Sequence, residues 1–347
     1  MNKIFFVNVT VLMLLANISF SQNLSTKDSI SNFYRELIEN LQTKYLNRNE
    51  INWDKVESYA LKNALTAKNF EESLTAVSLV FDSIKCNHCQ LFSEKSFYKS
   101  SLNKSLYEDD FSREFLLKYQ EQPPFEVKLV IDNIGYIQIP EMLMLDLTKD
   151  SLNLETQKMY DQIVNLVKEN TIEGWIVDLR FNTGGNVYPM LASLHYILGD
   201  NIVYKELDAL GNIIKTNQLK NGGFYCGENL EAKAKTSVMP NLKIPVAIII
   251  GKMTGSSGED IAVAFKNRNH TIFIGENTYG YLTGNDLIEL PYNSKMALTT
   301  CYIVDNNNIY REFIIPDVTV NKNDNFEELS KDKKIIKAID FFKTKKE

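Results

Sequence analysis

The segment Thr254, Gly255, Ser256, Ser257, Gly258, Glu259 sets two hydroxyls between a strand pattern and a helix pattern. Residues 244–250, IPVAIII, are apolar, mostly β-branched and of strand length, as in a strand buried on both faces. After Glu259 the run IAVAF opens a helical apolar pattern. A serine in such a turn could attack an acyl carbon, because unpaired N–H groups and the positive end of the helix dipole favour an anion there. The same residues also spell a capping box, Ser256 with Glu259 three positions on, which needs no chemistry.

A second glycine turn, NTGGN at residues 182–186, follows another buried-strand pattern, GWIVDLRF. If the two strands are neighbours, the N–H groups of Gly184 or Gly185 and of Ser257 converge on one oxygen beside Ser256. Such oxyanion donors are typically worth roughly 10²- to 10³-fold in rate apiece. A serine hydroxyl is inert at neutral pH without a base. Of the three histidines, His88 is the best candidate; His195 lies on the apolar face of VYPMLASLHYIL and reads as a core residue, and His270 as a surface one. Cys86 and Cys89 flank His88 at the spacing of half a zinc site. The sequence holds no second Cys/His pair, so no metal or other cofactor is expected and the pair reads as ordinary cysteines. Cys86, Cys89, Cys226 and Cys301 allow three disulfide pairings.

These groups need a scaffold, and 347 residues with 44% hydrophobic and 24% charged side chains can bury a substantial core. A net charge of -6 without a basic stripe argues against nucleic acid as a partner. Lys3, the apolar run at residues 4–16, and Ser19 and Ser21 before Gln22 form the pattern of an export signal spanning residues 1–21. The run is short for a bilayer span, so no stable membrane insertion is expected after cleavage, and the mature chain is expected in the periplasm or outside the cell. Residues 22–120 carry three helical patterns, with Asn52 or Asp54 as a cap, and form an N-terminal helical cap domain. A boundary is expected between about 100 and 125, near Pro123 and Pro124. From 121 to 347 helices follow buried strands, which predicts a layered α/β core ending in a lysine-rich helix with a solvated face.

The ordered motifs IGYIQIP, GWIVDLRFNTGG, TGSSGEDIAVAF, FIGENTYG and IIPDVTV resemble those of the C-terminal processing (tail-specific) serine proteases, over roughly residues 125–320. They also resemble their relatives, the tricorn core protease and the interphotoreceptor retinoid-binding repeats. The resemblance implies a ClpP/crotonase-like core and peptide-bond hydrolysis through an acyl-enzyme on Ser256, with Ser257 and Gly184 or Gly185 at the oxyanion. Processing proteases carry T-F-G-K, whose lysine is the base; here the match reads Thr278, Tyr279, Gly280, Tyr281. A tyrosine, with an ordinary pKa near 10, is a poor substitute. The tricorn-like branch takes a histidine from the N-terminal region instead, which His88 matches. That branch also recruits a glutamate before the terminal P-D strand, here Glu312, with Glu276 as a rival. Too few residues separate His88 from IGYIQIP for the PDZ domain of the processing branch. The expectation is an exported serine peptidase acting on peptides or unfolded proteins. Its alternatives are a ligand carrier that has lost catalysis on the same fold, and a hydrolase of another acyl bond.

Overall fold

In the computed structural model, which describes residues 3–4 and 25–345, the N-terminal helices form where sequence periodicity and caps coincide. Helix α1 (Thr26–Lys44) starts at Ser25, whose Oγ accepts from the Asp28 N–H at 3.2 Å. It buries Ile30, Phe33, Tyr34, Leu37, Ile38 and Leu41, one stripe at three- and four-residue spacing. Asn52 caps α2 (Trp53–Ala64), and α3 (Thr75–Ser83) runs on toward His88. Of the export signal expected over residues 1–21, only Lys3 and Ile4 are described, as a two-residue strand beside Leu106–Tyr107; the rest lies outside the described residues.

The helices pack on Leu290, Met296 and Leu298 of an antiparallel sheet. The short strands β1 (Gln90–Phe92) and β2 (Phe97–Lys99) join that same sheet, β1 pairing with Ser294–Val304. The helical region is therefore tied into the core by backbone hydrogen bonds upstream of the expected boundary.

Six strands form the other sheet. In chain order they are β3 (Glu126–Ile131), β4 (Ile134–Gln138), β5 (Gly174–Asp178), then β10 (Val246–Ile250), β11 (Thr271–Gly275) and the edge strand β14 (Val318–Thr319). They lie side by side in that order, parallel except for the β3–β4 hairpin. The antiparallel sheet runs through β9 (Asn229–Lys233), β8 (Gly223–Cys226), β7 (Ile213–Lys220), β6 (Asn201–Leu207), β13 (Ser294–Val304), β1 and β2, with β12 (Thr283–Leu290) also on β13. Between the sheets lie α4 (Lys149–Glu169), α5 (Val187–Ser193) and α6 (Ser257–Phe265), whose Ile163, Leu191, Ile261 and Phe265 share one core with Ile248 and Leu219.

Alternate residues of β10 point to opposite faces, so Ile248 and Ile250 enter this core while Ala247 and Ile249 enter a second one. That second core is closed by Ile335, Ala338 and Phe342 of α7 (Lys333–Lys343). The lysine-rich tail helix has the solvated face expected, with Lys333, Lys337 and Lys343 exposed; its apolar side closes the outer face of the sheet, and Lys334 is the lysine that is buried. Lys334 belongs to an ion cluster around Arg180, whose side chain is 1% exposed. Arg180 Nη2 lies 2.5 Å from Asp178, and Nη1 lies 2.6 Å from Asp324 and 2.7 Å from Asp332; Lys334 Nζ reaches Asp324 at 2.8 Å.

Candidate active site

β5 and β10 are in-register parallel neighbours, Ile249 opposite Asp178, so the turns leaving their C-terminal ends emerge side by side. Two bonds stitch these turns together: the Gly255 N–H donates to the Asn182 carbonyl at 3.0 Å, and the Thr254 hydroxyl to the Leu179 carbonyl at 2.8 Å. Ser256 follows at φ 51°, ψ -123°, a backbone conformation that a side chain with a Cβ rarely adopts. Ser256 and Glu259 form the capping box that the sequence spells, with the Ser256 side chain toward the Glu259 N–H. That N–H also donates to the Ser256 carbonyl at 2.7 Å, and the Ser256 N–H to Glu259 Oε2 at 3.1 Å. The strained backbone is held by this glutamate.

Gly184 and Gly185 have φ of 130° and 104° and approach closely: a Cβ on Gly184 would lie 3.0 Å from Ser256 Cβ, and one on Gly185 2.1 Å from the Met142 carbonyl oxygen. The two N–H groups differ. That of Gly184 is engaged by Asn182 Oδ1 at 3.1 Å, whereas those of Gly185 and Ser257 have no hydrogen-bond partner among the described residues. The Ser257 hydroxyl donates to the Gly185 carbonyl at 2.6 Å, which holds the two free donors in one place.

His88 lies just past α3, between Cys86 and Cys89, which are joined as a disulfide; Cys226 and Cys301 are free. His88 Nδ1 lies 2.8 Å from the Thr283 hydroxyl, and the Asn285 amide donates to the His88 carbonyl at 3.1 Å. The imidazole stacks on Tyr281, centroids 4.4 Å apart and planes 13° from parallel. The residue at the lysine position of T-F-G-K therefore lies flat against the histidine. Burial pushes the His88 imidazole down to about 4, so the ring is neutral at neutral pH. Burial also raises the Tyr281 phenol well above 10, which leaves it no role as a base.

One carboxylate joins these parts. Glu259 accepts from the N–H groups of Ser256 and Tyr281 at 3.1 and 2.7 Å on Oε2, and from Gly280 at 3.0 Å on Oε1, where the Thr278 hydroxyl also donates. The serine turn and the aromatic segment under His88 are thus fixed by the same side chain. The sequence reading gave Glu259 a capping role only. Its second role depends on β11 running parallel to β10, which returns Thr278 to Tyr281 to the start of α6.

The orienting place expected for Glu312 or Glu276 is taken by Thr283. Glu312 is exposed, and Glu276 Oε1 lies 4.0 Å from Lys252 Nζ, in the field of Asp324 and Lys334. His270 is exposed, and His195 is buried with Nε2 2.7 Å from Asp200, as a core histidine with one partner.

Replacing Glu259 by glutamine is expected to damage both halves of the site. Either way round, the new amide sets an NH₂ against an N–H that cannot accept, those of Ser256 and Tyr281 or that of Gly280. Roughly 2 kcal/mol of stability should be lost, together with about 10²-fold in turnover through misplacement of the serine and the ring. Urea titration and steady-state kinetics read the two effects, and wild-type kcat in this variant would remove Glu259 from the positioning scheme.

The sequence profile of Peptidase family S41 matches residues 133–320, more than half of the chain and the part holding both glycine turns, Glu259, Tyr281 and Thr283 but not His88. The nisin-resistance protein of Lactococcus lactis subsp. lactis is 27% identical over 295 residues, covering 83% of each chain. Among solved structures, a lipoprotein from Streptococcus agalactiae superposes with a TM-score of 0.70 at 22% identity, over 95% of this chain and 100% of that one. The tricorn protease superposes with a TM-score of 0.52 at 14% identity, over 93% of this chain and 37% of that one.

Proposed function

The chain belongs to Peptidase family S41 and is a serine peptidase; from this premise we propose that Ser256 is its nucleophile and His88 its general base, as in the tricorn-like branch. The Ser256 hydroxyl attacks the peptide carbonyl as His88 Nε2 takes its proton, and the N–H groups of Gly185 and Ser257 hold the oxyanion. His88 then returns the proton to the leaving amine, and water resolves the acyl-enzyme by the same steps. Thr283 supports this by engaging Nδ1, which leaves Nε2 as the nitrogen that exchanges protons. The single observation that carries the reading is the Glu259 carboxylate. It bonds the Ser256 N–H and the Tyr281 N–H, and so ties the nucleophile to the ring on which His88 rests.

The test is a serine-directed phosphonate probe, with the adduct mapped by mass spectrometry, beside hydrolysis of casein and of nisin. Nisin is chosen because one relative is a nisin-resistance protein. Labelling on Ser256 and cleavage of either substrate are expected; labelling elsewhere overturns the assignment. We further read the protein as exported. The leader pattern at residues 1–21 and the Cys86–Cys89 disulfide, which needs an oxidising compartment, support periplasmic or extracellular work.

The pH profile is a separate prediction. His88 acts as a base only when neutral, so kcat/KM should hold through pH 5 and fall along an acid limb near pH 4, not near the 6.5 of free imidazole. A limb near pH 7 that vanishes in Glu259→Gln would instead report the Glu259 carboxyl, which burial lifts to about 7.

A further inference from the structure

His88 is carried by the loop from Cys86 to Cys89, which their disulfide closes. Both ends of this loop are anchored. Before it, α3 stops at Lys85, a left-handed residue at φ 56°, and the N–H groups of Lys85 and Cys86 donate back to the Asp82 and Phe81 carbonyls at 3.1 and 2.9 Å. After it, Gln90 enters β1 and pairs with Ala297 of β13. Between the anchors the backbone has less support: among the described residues, the N–H groups of Asn87 and His88 donate to no backbone carbonyl.

The disulfide also reaches His88 through side chains. The sulfurs of Cys86 and Cys89 lie 3.5 and 3.7 Å from Thr299 Oγ1, which donates to Asn285 Oδ1 at 2.8 Å; the Asn285 amide in turn donates to the His88 carbonyl. Cys86, Cys89 and Thr299 are all buried. A cross-link over so short a loop removes little entropy from the unfolded chain, so it contributes little to global stability. Its effect is local. Two thiols cannot sit at bonding distance, so without the bond the sulfurs must part, against Thr299 and along the loop that carries the imidazole.

We propose that the Cys86–Cys89 disulfide positions the His88 imidazole for catalysis, so that the folded chain is latent while these cysteines are thiols and active once they are oxidised. The proposal rests on His88 as the general base. Oxidation is exchange with an external disulfide. One cysteine thiolate attacks it and expels a thiol, and the second attacks the mixed disulfide and expels the other. The Cys86–Cys89 bond forms as two electrons and two protons leave with the expelled pair. Cys86 is 2% exposed and Cys89 0%, so an external thiol has no access to the finished bond in the closed loop. The change therefore runs one way, from a reducing cell interior to the oxidising space outside it.

The test compares three full-length preparations: the oxidised protein, the same chain refolded and assayed under dithiothreitol, and Cys86→Ala with Cys89→Ala. Cys226 and Cys301 are thiols throughout, so the dithiol changes this bond alone. Both bond-free forms should keep the wild-type circular dichroism spectrum. Their KM for the cleaved substrate, casein or nisin, should stay within about twofold, while kcat falls about 10²-fold, the scale of a misplaced catalytic group. Glutathione disulfide, added without denaturant, should restore kcat to the reduced chain and leave the alanine pair unchanged. Full kcat in either bond-free form overturns the proposal. So does a reduced chain that loses the spectrum, which would make the bond a structural one, or that does not recover with glutathione disulfide. If the alanine pair does not fold, the reduced chain still decides. Full activity in an oxidised His88→Ala protein would sink the base assignment and this role with it; a bond-free form at full rate, with His88→Ala inactive, would sink the positioning role alone.

Discussion

Ser256→Ala is expected to lower kcat by on the order of 10⁶-fold, His88→Ala by nearly as much, and the double variant by no more than either, because the proposed nucleophile and base would act as one unit. On that proposal, loss of the Ser256 hydroxyl removes the acyl-enzyme, and loss of the imidazole removes the group that takes its proton. Tyr281 stacks on that imidazole, but its buried phenol is held well above 10. Lys252 Nζ lies 2.9 Å from Asp110 and is committed there. What should remain is the weak acceleration, roughly 10³- to 10⁴-fold over water, given by an oxyanion site and substrate binding. Neither substitution removes a large buried apolar group, so both variants should keep the wild-type circular dichroism spectrum. Single-turnover assays on a cleaved peptide read the rates. A His88→Ala protein within about tenfold of wild type would mean that another group is the base, and a loss that adds across the pair would mean that the two act separately.

The features legible in the sequence were those fixed by local pattern. IPVAIII predicts a strand buried on both faces, and β10 is one because Ala247 and Ile249 face one core while Ile248 and Ile250 face the other. The two glycine turns were legible as turns. That they meet follows from β5 and β10 being neighbours, which chain order favours for parallel strands but no single residue states. The partner of His88 was not legible: Thr283 is 195 residues away, brought in by β12 pairing on β13. A family pattern pointed to glutamates instead, and sequence alone offers no signal that a threonine at a strand start will meet a histidine. The Cys86–Cys89 bond was open among three pairings, because connectivity depends on where Cys226 and Cys301 end up. The lysines of the tail marked its solvated face, but which surface the stripe of Ile335, Ala338 and Phe342 covers depends on the sheet and was not legible.

Arg180→Leu is expected to cost about 3–5 kcal/mol at neutral pH, the scale for breaking a buried ion pair, a large share of the roughly 5–15 kcal/mol that hold a typical domain folded. The D-L-R stretch leads into the NTGG turn, yet this guanidinium ties β5 to the C-terminal segment: Asp178 on one edge, Asp324 and Asp332 on the other. Phe326 covers it, with the guanidinium carbon 4.3 Å from the ring centroid. Leucine would leave three buried carboxylates with Lys334 as the remaining cation of the cluster and only neutral donors, such as Tyr136 and Ser112, besides. The sign of the pH effect tests this account against one of lost packing. Burial alone would raise the Asp324 carboxyl, but Arg180 and Lys334 overcome it and hold the group down at about 2. A carboxyl with a depressed folded pKa stabilises above its unfolded value near 3.9, and that contribution fades as pH falls from about 4 toward 2. In Arg180→Leu the cluster can shed its charge by taking up protons, so the gap between variant and wild type should narrow as urea midpoints are measured from pH 7 down to pH 3. A gap that stays constant with pH would assign the loss to packing. Arg180→Lys should fall between the two proteins, since one ammonium keeps the charge but lacks the planar fork that reaches three carboxylates at once.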